Sequence, residues 1–348
     1  MKMSLLRTGC SHGMTVHKKI QSWQGAALRV GGSILALILL FHFLPLSEVW
    51  QALRELPARV WTLALAGYLA AHLVGISKWR LMVNVGGAGL NFRQAVRCYF
   101  SGLFSTLFLP SIVGGDVVRA SLALRFGKSK AGVLLGSFLD RILDFVALGL
   151  LAAVGVALAP EALAPQTRRV FLVAGIGIAV LLAIFAPVVF WFPARRFSFG
   201  IRRRLARLRR AARSIHNEKR YVLAALCLGL VIQAGFIWLM AQVANSGGLR
   251  LPFRVWLFAW PLAKLSAVIP VTQGGIGVRE AALAALLIPF GARATMTVAV
   301  GLAWETIIIA GGLIAGLIAF LLGGLSVAKM GPAAASETRR DASPHSQP

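Results

Sequence analysis

The sequence predicts an all-α polytopic membrane protein, with about six full spans and two broken or re-entrant helical hairpins arranged as an inverted repeat. Three observations predict it. Hydrophobic residues make up 58% of the 348-residue chain and charged residues only 14%, at a mean hydropathy of +0.76. A soluble domain carries roughly 45–50% apolar and about 25% charged residues, so there is too little polar side chain here to cover a globule. The apolar residues gather into long runs, near the ~20 residues that cross about 30 Å of hydrocarbon. Two further apolar stretches are broken by proline and paired glycine at matching positions.

Charge leans one way, with 37 Lys and Arg against 11 Asp and Glu and a net of +26. The bases sit beside apolar runs, so anionic lipid head groups, and not nucleic acid, are the expected partner. Cys10, Cys98 and Cys227 are far apart, which supports neither a disulfide framework nor a zinc site.

The elements follow in order. Residues 1–25, with Lys2, Arg7, Lys18 and Lys19, form a basic cytoplasmic arm; 26–324 form the membrane domain; 325–348, rich in Ala, Ser and Pro, form a disordered tail. Spans are expected at about 27–45, 60–77, 131–158, 169–192, 221–244 and 295–323. The first lacks a small-residue cleavage site and reads as an uncleaved span. Loop charge sets orientation. The loop holding Glu48, Arg54, Glu55 and Arg59 is balanced and lies outside; Lys78, Arg80, Arg93 and Arg97 return the chain to the inside. The interrupted stretch at 95–125 then leads to Arg119, Arg125, Lys128 and Lys130, which are also basic. A single crossing would put one cluster on the wrong side, whereas a hairpin entering and leaving from the cytoplasm satisfies both. Span 131–158 runs outward, the loop with Glu161, Arg168 and Arg169 lies outside, and 169–192 returns. The segment 194–220 follows, with eleven Lys and Arg and one acid between 195 and 220. Ile201, Leu205, Leu208, Ala212 and Ile215 recur there at helical spacing. It reads as a helix on the inner leaflet bound to anionic phospholipids, or as a marker of topology alone. After 221–244 the second interrupted stretch, 255–290, enters from the opposite side, and 295–323 crosses inward. Both termini are then cytoplasmic, in an inner membrane. Trp61, Trp79, Trp191 and Trp256 read as interface anchors.

The two interrupted stretches match each other. LPSIVGGDVVRA holds Pro110, Gly114, Gly115 and Arg119; IPVTQGGIGVREA holds Pro270, Gly274, Gly275 and Arg279, at the same offsets from the proline. Each precedes a Phe-Gly pair, Phe126-Gly127 or Phe290-Gly291, and an apolar helix bearing acids: Asp140 and Asp144, or Glu305. The first repeat spans about 95–158 and the second about 255–323. In hydrocarbon a helix can break only where protein or a watery cavity satisfies the freed backbone groups. Proline would stop one half-helix, the glycine pair would allow a turn or a close approach, and the next half-helix would begin with free N–H groups. That end, with Arg119 or Arg279 one turn in, suits an anion. The expected substrate-binding residues are Ser111, Gly114, Gly115, Asp116, Arg119, Lys264, Gly274, Gly275, Gly277, Arg279 and Glu280.

Buried charge needs a partner, because each ion in hydrocarbon costs at least ~2.5–3.5 kcal/mol by insertion scales. Asp140, Arg141 and Asp144 are placed at the start of a helix, with Arg141 in reach of Asp144. Glu305 is the deepest acid, and its candidate partners are Arg279, Lys264 and Arg119. Asp140, Arg141, Asp144 and Glu305 act either as ion pairs or in proton coupling. Asp116 reads as a helix N-cap or a site residue, and Glu280 with Arg279 as an interfacial pair. No nucleotide, nucleophile or zinc-protease motif is present, so no catalytic residue, cofactor or metal is expected.

PSIVGGDVVRA, then LDRILD, then IPVTQGGIGVREA resembles the lysylphosphatidylglycerol synthase transmembrane region family, over about residues 25–325. Many members are flippase-like integral membrane proteins. The resemblance implies movement of a lipid with a large polar head between leaflets, with motif positions at Pro110, Ser111, Gly114, Gly115, Asp116, Arg119, Asp140, Arg141, Asp144, Gly274, Gly275, Gly277 and Glu280. In the full-length synthases a soluble aminoacyl-transferase domain follows the membrane part. Here only a short tail follows residue 325, so the expectation is a translocase and not an enzyme. Two alternatives stand beside it. One is a membrane-embedded transferase acting on a lipid carrier, with Asp140 and Asp144 on a divalent metal. The other is a lipid-binding scaffold that works with envelope-biosynthesis enzymes without transporting anything.

Overall fold

The computed structural model describes residues 57–109, 111–158, 217–267 and 277–323, with residues 54, 206, 209, 210 and 212–215 besides. Among these residues the chain is all-helical. Four helices are long: α1 (Ala58–Val85), α4 (Lys130–Leu158), α5 (Lys219–Ser246) and α8 (Ala294–Leu321). Each has 28 or 29 residues, hence about 42 Å at 1.5 Å per residue, and each is apolar enough to cross a bilayer. Between α1 and α4 lie two shorter helices, α2 (Phe92–Ser105) and α3 (Ser111–Phe126). Between α5 and α8 lie α6 (Phe253–Ser266), α7 (Val278–Leu287) and a single 3₁₀ turn, Ile288–Phe290.

The expected spans at 60–77, 131–158, 221–244 and 295–323 correspond to these four long helices. Those at 27–45 and 169–192 lie outside the described residues, as do the N-terminal arm, the tail, Trp191, and Pro110, Pro270, Gly274 and Gly275. The first matched span is longer than its apolar run suggests. α1 continues through Lys78 and Arg80 to Val85, because Lys78 is matched by two carboxylates inside the protein. Lys78 is therefore no loop charge; it is 2% exposed. Trp79 and Trp256 also depart from expectation. Both are fully buried, and the Trp79 indole donates to Ser137 Oγ at 3.0 Å.

α2 and α3 form one hairpin and α6 and α7 another. The base of the first lies with the C-terminal end of α1 and the N-terminal end of α4, where the Lys128 amide donates to the Ala88 carbonyl at 2.9 Å. The base of the second lies at the other end of the long helices, where α5 stops and α8 starts; the Gly248 turn there sits close to Met296. Each hairpin sends its first helix across the molecule. α2 packs on α8, and α6 packs on α4. Both crossings use a glycine: a Cβ on Gly316 would lie 2.4 Å from the Phe104 ring, and one on Gly155 would lie 2.5 Å from the Phe258 amide.

Apolar packing completes the body. A large cluster joins α1, α5, α6, α7 and α8 around Trp256, Phe258, Ile237, Met240 and Ile307. A second joins α1, α2, α3 and α8 around Trp79, Ile76 and Leu90. Exposed Leu, Val and Phe side chains, such as Leu63, Val231, Leu317 and Phe320, remain outside, as a lipid solvent requires. The basic segment contributes Ala212 and Ile215, which are buried against Leu135 of α4, while Ser214 donates to the Val85 carbonyl at 3.0 Å. That part of the expected lipid-facing stripe packs on protein instead. Ile201, Leu205 and Leu208 lie outside the described residues.

The glycine pair at 114–115 is not a turn. α3 starts at Ser111, so both glycines are helical, and Gly115 presses on Gly102 of α2. A Cβ on Gly115 would lie 2.6 Å from the Gly102 carbonyl and 2.3 Å from Thr106 Cγ2. Gly115→Val should open this hairpin, costing about 1–3 kcal/mol as overpacking does. A lowered melting temperature of the detergent-purified protein is the expected result.

Candidate functional site: a charged cavity between the hairpins

All eight helices contribute to one cavity of about 490 Å³. α1 supplies Tyr68, His72 and Lys78; α2 supplies Tyr99; α3 supplies Asp116 and Arg119; α4 supplies Asp140, Arg141 and Asp144. The other half brings Gln233 and Phe236 from α5, Trp260 and Lys264 from α6, Arg279 from α7, and Trp304 and Glu305 from α8. One end is apolar. Leu107, Phe108, Ile309 and Leu313 line it, and Phe108, Ile309 and Leu313 are exposed on the protein surface.

The charges fall into two groups. In the first, Lys78 Nζ lies 2.8 Å from Asp140 Oδ1 and 2.8 Å from Asp144 Oδ1. The Asp144 contact is a hydrogen bond; the Asp140 contact is an ion pair whose Oδ1 lies outside hydrogen-bond angles. Lys78 also donates to the Asp140 carbonyl at 3.3 Å. Arg119 reaches Asp140 Oδ2 at 3.3 Å and Asp116 Oδ1 at 3.0 Å, and Arg141 pairs with Asp116. Arg119 is further held over the rings of Trp79 and Tyr99, at 5.1 and 5.0 Å. Three bases and three acids thus tie α1, α3 and α4 together.

This geometry revises several expectations. Asp116 is no N-cap; it lies within α3 and is shared by two arginines. Asp140 and Asp144 lie well inside α4, not at its start. Arg141 reaches Asp116 and not Asp144, because one turn of α4 presents Arg141 to α3, Asp144 to α1 and Asp140 to both.

In the second group, Arg279 donates to Glu280 Oε1 at 2.6 Å and to Glu305 Oε2 at 2.6 Å. Of the three candidate partners for Glu305, the structure selects Arg279. Glu280 also accepts the Gly277 amide at 2.7 Å. Gly277 has φ +85°, a conformation glycine adopts freely, and this lets the chain enter α7. The N-terminal end of α7 is therefore capped by the protein's own carboxylate. In α3 the glycines lie after the helix start. Arg119 thus lies eight residues into α3, and at the start of α7 the Glu280 carboxylate takes the Gly277 amide, so neither arginine stands beside an open helix end.

Lys264 differs from the other cavity bases. Among the described residues it has no carboxylate within ion-pair distance; its Nζ donates to Gln233 Oε1 at 2.8 Å and lies 4.9 Å from the Phe236 ring centre. Three buried donors are also unmatched among the described residues, Arg119 Nε, Arg141 Nε and Trp260 Nε1, while the His72 ring engages Tyr99 through Nδ1 at 3.3 Å. The cavity thus offers more donors than acceptors. No group of three His, Cys, Asp or Glu side chains is disposed around a metal among the described residues, and Asp140 and Asp144 are turned on Lys78.

The family model for the lysylphosphatidylglycerol synthase TM region matches residues 26–316. The chain belongs to that family. No curated protein matches the sequence. Membership, four spanning helices and a shared cavity together make this an integral membrane protein of a lipid-handling family. The family match spans every charged residue of the cavity.

Sequence reasoning missed Lys78, His72, Tyr68, Tyr99, Gln233 and Trp260. For Lys78 a signal existed, since WRLMVNV continues the apolar run beyond it. Removing its charge leaves two carboxylates facing each other. Lys78→Met should therefore cost about 3–5 kcal/mol, as loss of one partner of a buried pair does. Thermal unfolding in detergent would read this, with exposed Leu313→Met as a near-neutral reference.

Proposed function

We propose that the protein is a lipid translocase of the inner membrane that holds a polar head group in the cavity between its two hairpins. The single observation that carries this reading is the surplus of buried donors around Lys264, in a cavity whose other end is apolar and exposed. Unmatched buried donors each cost about 1–3 kcal/mol. An acceptor-rich head group, such as a phosphate with hydroxyls, would relieve that cost. The acyl chains would leave past Phe108, Ile309 and Leu313 into the bilayer. A soluble ligand has no need of that apolar exit.

The architectural part of the proposal is an inverted repeat. α1–α4 and α5–α8 have the same order of long, short, short and long helices. Their hairpins have bases at opposite ends of the long helices, and each sends its first helix against the last helix of the other unit. These observations support two re-entrant hairpins approaching the cavity from opposite leaflets, with rocking of the units alternating its access. Basic residues at the base of the first hairpin, including Arg93, Arg125, Lys128 and Lys130, support a cytoplasmic location for that end and for the N- and C-termini. The same bases, with segment 194–220, suit anionic phospholipids. In this reading the protein is not an enzyme, and Arg119 and Arg279 organise the cavity through their carboxylates while Lys264 meets the cargo first.

The test is lipid movement in proteoliposomes, measured by dithionite quenching of a fluorescent phospholipid. Lys264→Met should fall at least tenfold below wild type when equal amounts of folded, reconstituted protein are compared. Equal rates for the two proteins would remove Lys264 from the mechanism.

A further inference from the structure

A phospholipid whose head group lies in the cavity keeps its acyl chains in hydrocarbon, because each methylene taken into water costs free energy. The head group therefore passes sideways through the cavity wall, and the wall is not uniform. Polar contacts join most of its helices: Lys78 joins α1 to α4, Arg141 joins α4 to α3, Arg279 joins α7 to α8, and Lys264 joins α6 to α5.

Where α2 meets α8 the contact is of another kind. Leu107, at the tip of the first hairpin, covers Gly312, and Phe104 covers Gly316. Cβ atoms on the two glycines would lie 3.0 Å from Leu107 Cδ1 and 2.4 Å from the Phe104 ring. Leu107 lines the apolar end of the cavity with Phe108 beside it and Ile309 and Leu313 opposite, and these last three also reach the surface. The matching contact of Gly155 on α4 with Leu257 and Phe258 on α6 involves none of the residues that line the cavity.

The two kinds of contact part at different cost. Separating an ion pair in a low-dielectric interior strands two charges. Separating a leucine from a glycine beside lipid exchanges one apolar neighbour for another, since acyl chains are as apolar as leucine. The turn bonds of the tip run back into α2: the Leu107 amide donates to the Phe104 carbonyl, and the Phe108 and Leu109 amides donate to the Ser105 carbonyl. They survive when the tip and α2 leave α8 together. Beyond the seam α8 offers a track, because Ile309, Leu313, Leu317 and Leu321 recur every four residues and all are exposed. The track runs for about 18 Å at 1.5 Å per residue, against a hydrocarbon half-thickness of about 15 Å.

We propose that the α2–α8 seam is the slot through which the lipid enters and leaves the cavity, with an acyl chain lying along α8 from Ile309 and the Leu107–Gly312 contact holding the slot shut. This rests on the translocase reading and names the route its cargo takes. Leu107 Cγ lies 3.1 Å from where a Gly312 Cβ would stand, so a cysteine pair at these positions falls near the ~3.5–4.5 Å between Cβ atoms that a disulfide needs.

The test uses the full chain in non-ionic detergent with Leu107→Cys and Gly312→Cys, on a background of Cys10→Ser and Cys227→Ser; Cys98 is buried. The protein is loaded with deuterated dioleoyl phosphatidylglycerol, cross-linked with an oxidant, and challenged with the unlabelled lipid, and native mass spectrometry follows the exchange. The cross-linked protein should exchange at least tenfold more slowly than the same protein after reduction, whereas either single-cysteine variant should exchange equally fast with and without oxidant. Arrest of domain rocking alone would not trap a lipid already bound. Cross-linked protein that exchanges as fast as its reduced form overturns the inference. Where the cysteine pair does not fold, Leu107→Ala decides: it uncovers Gly312 and should exchange at least threefold faster than wild type, and an unchanged rate overturns the inference. Wild type that retains no phospholipid overturns the head-group reading itself.

Discussion

Charge inside a low-dielectric body is the constraint on which the rest of this structure depends. An ion taken out of water costs several kcal/mol unless a counter-ion and hydrogen bonds meet it. Among the described residues ten ionisable groups converge here, so the helices that carry them must be held in register. Lys78, Asp140 and Arg119 link three helices through contacts of 2.8–3.3 Å, and Arg279 links two more at 2.6 Å. A shift of one helix by a single turn would leave several of these charges unpaired. The ion pairs act less as a source of net stability than as a condition on the packing.

Backbone proximity supplies what the charges demand. α3 must approach α2 closely for Arg119 to lie over Tyr99 and still reach Asp140, and only a glycine-on-glycine contact allows it. Gly102 would meet the Arg119 Cβ at 2.9 Å if it carried a side chain. The glycine pair thus serves the arginine four residues on, but through packing and not through a turn. At the second hairpin a glycine does shape the backbone. Gly277 turns the chain so that Glu280 can close the helix start and then face Arg279.

Much of this was legible because membranes simplify the code. Long apolar runs marked four helices, three of them within about two residues and the first eight residues short at its end, and the Pro, Gly-Gly and Arg spacing marked two segments that fold as hairpins. Asp140, Asp144, Arg119, Arg279, Glu305 and Lys264 stood out as charges in apolar surroundings, and all line one cavity. Pairing was less legible. Arg141 is next to Asp140 and three residues from Asp144, yet it bonds to Asp116 25 positions away, because helical phase fixes direction and a chain distance does not. Lys78 was hidden for the opposite reason: a charge at the end of an apolar run looks like the end of the span. Trp79 and Trp256 were misread similarly, since an indole at a run's end suits an interface as well as a core.

The two groups of charge solve the same problem unequally. The first has, among the described residues, an acid for every base. In the second, Glu280 and Glu305 share Arg279, while Lys264 has Gln233 and Phe236, a neutral amide and an aromatic face, as its nearest company. A lysine held by such partners is committed to no carboxylate at ion-pair distance among the described residues. The ion pairs of α1, α3 and α4 therefore frame the cavity, and among the described residues Lys264 is the cavity base whose charge no carboxylate meets at ion-pair distance.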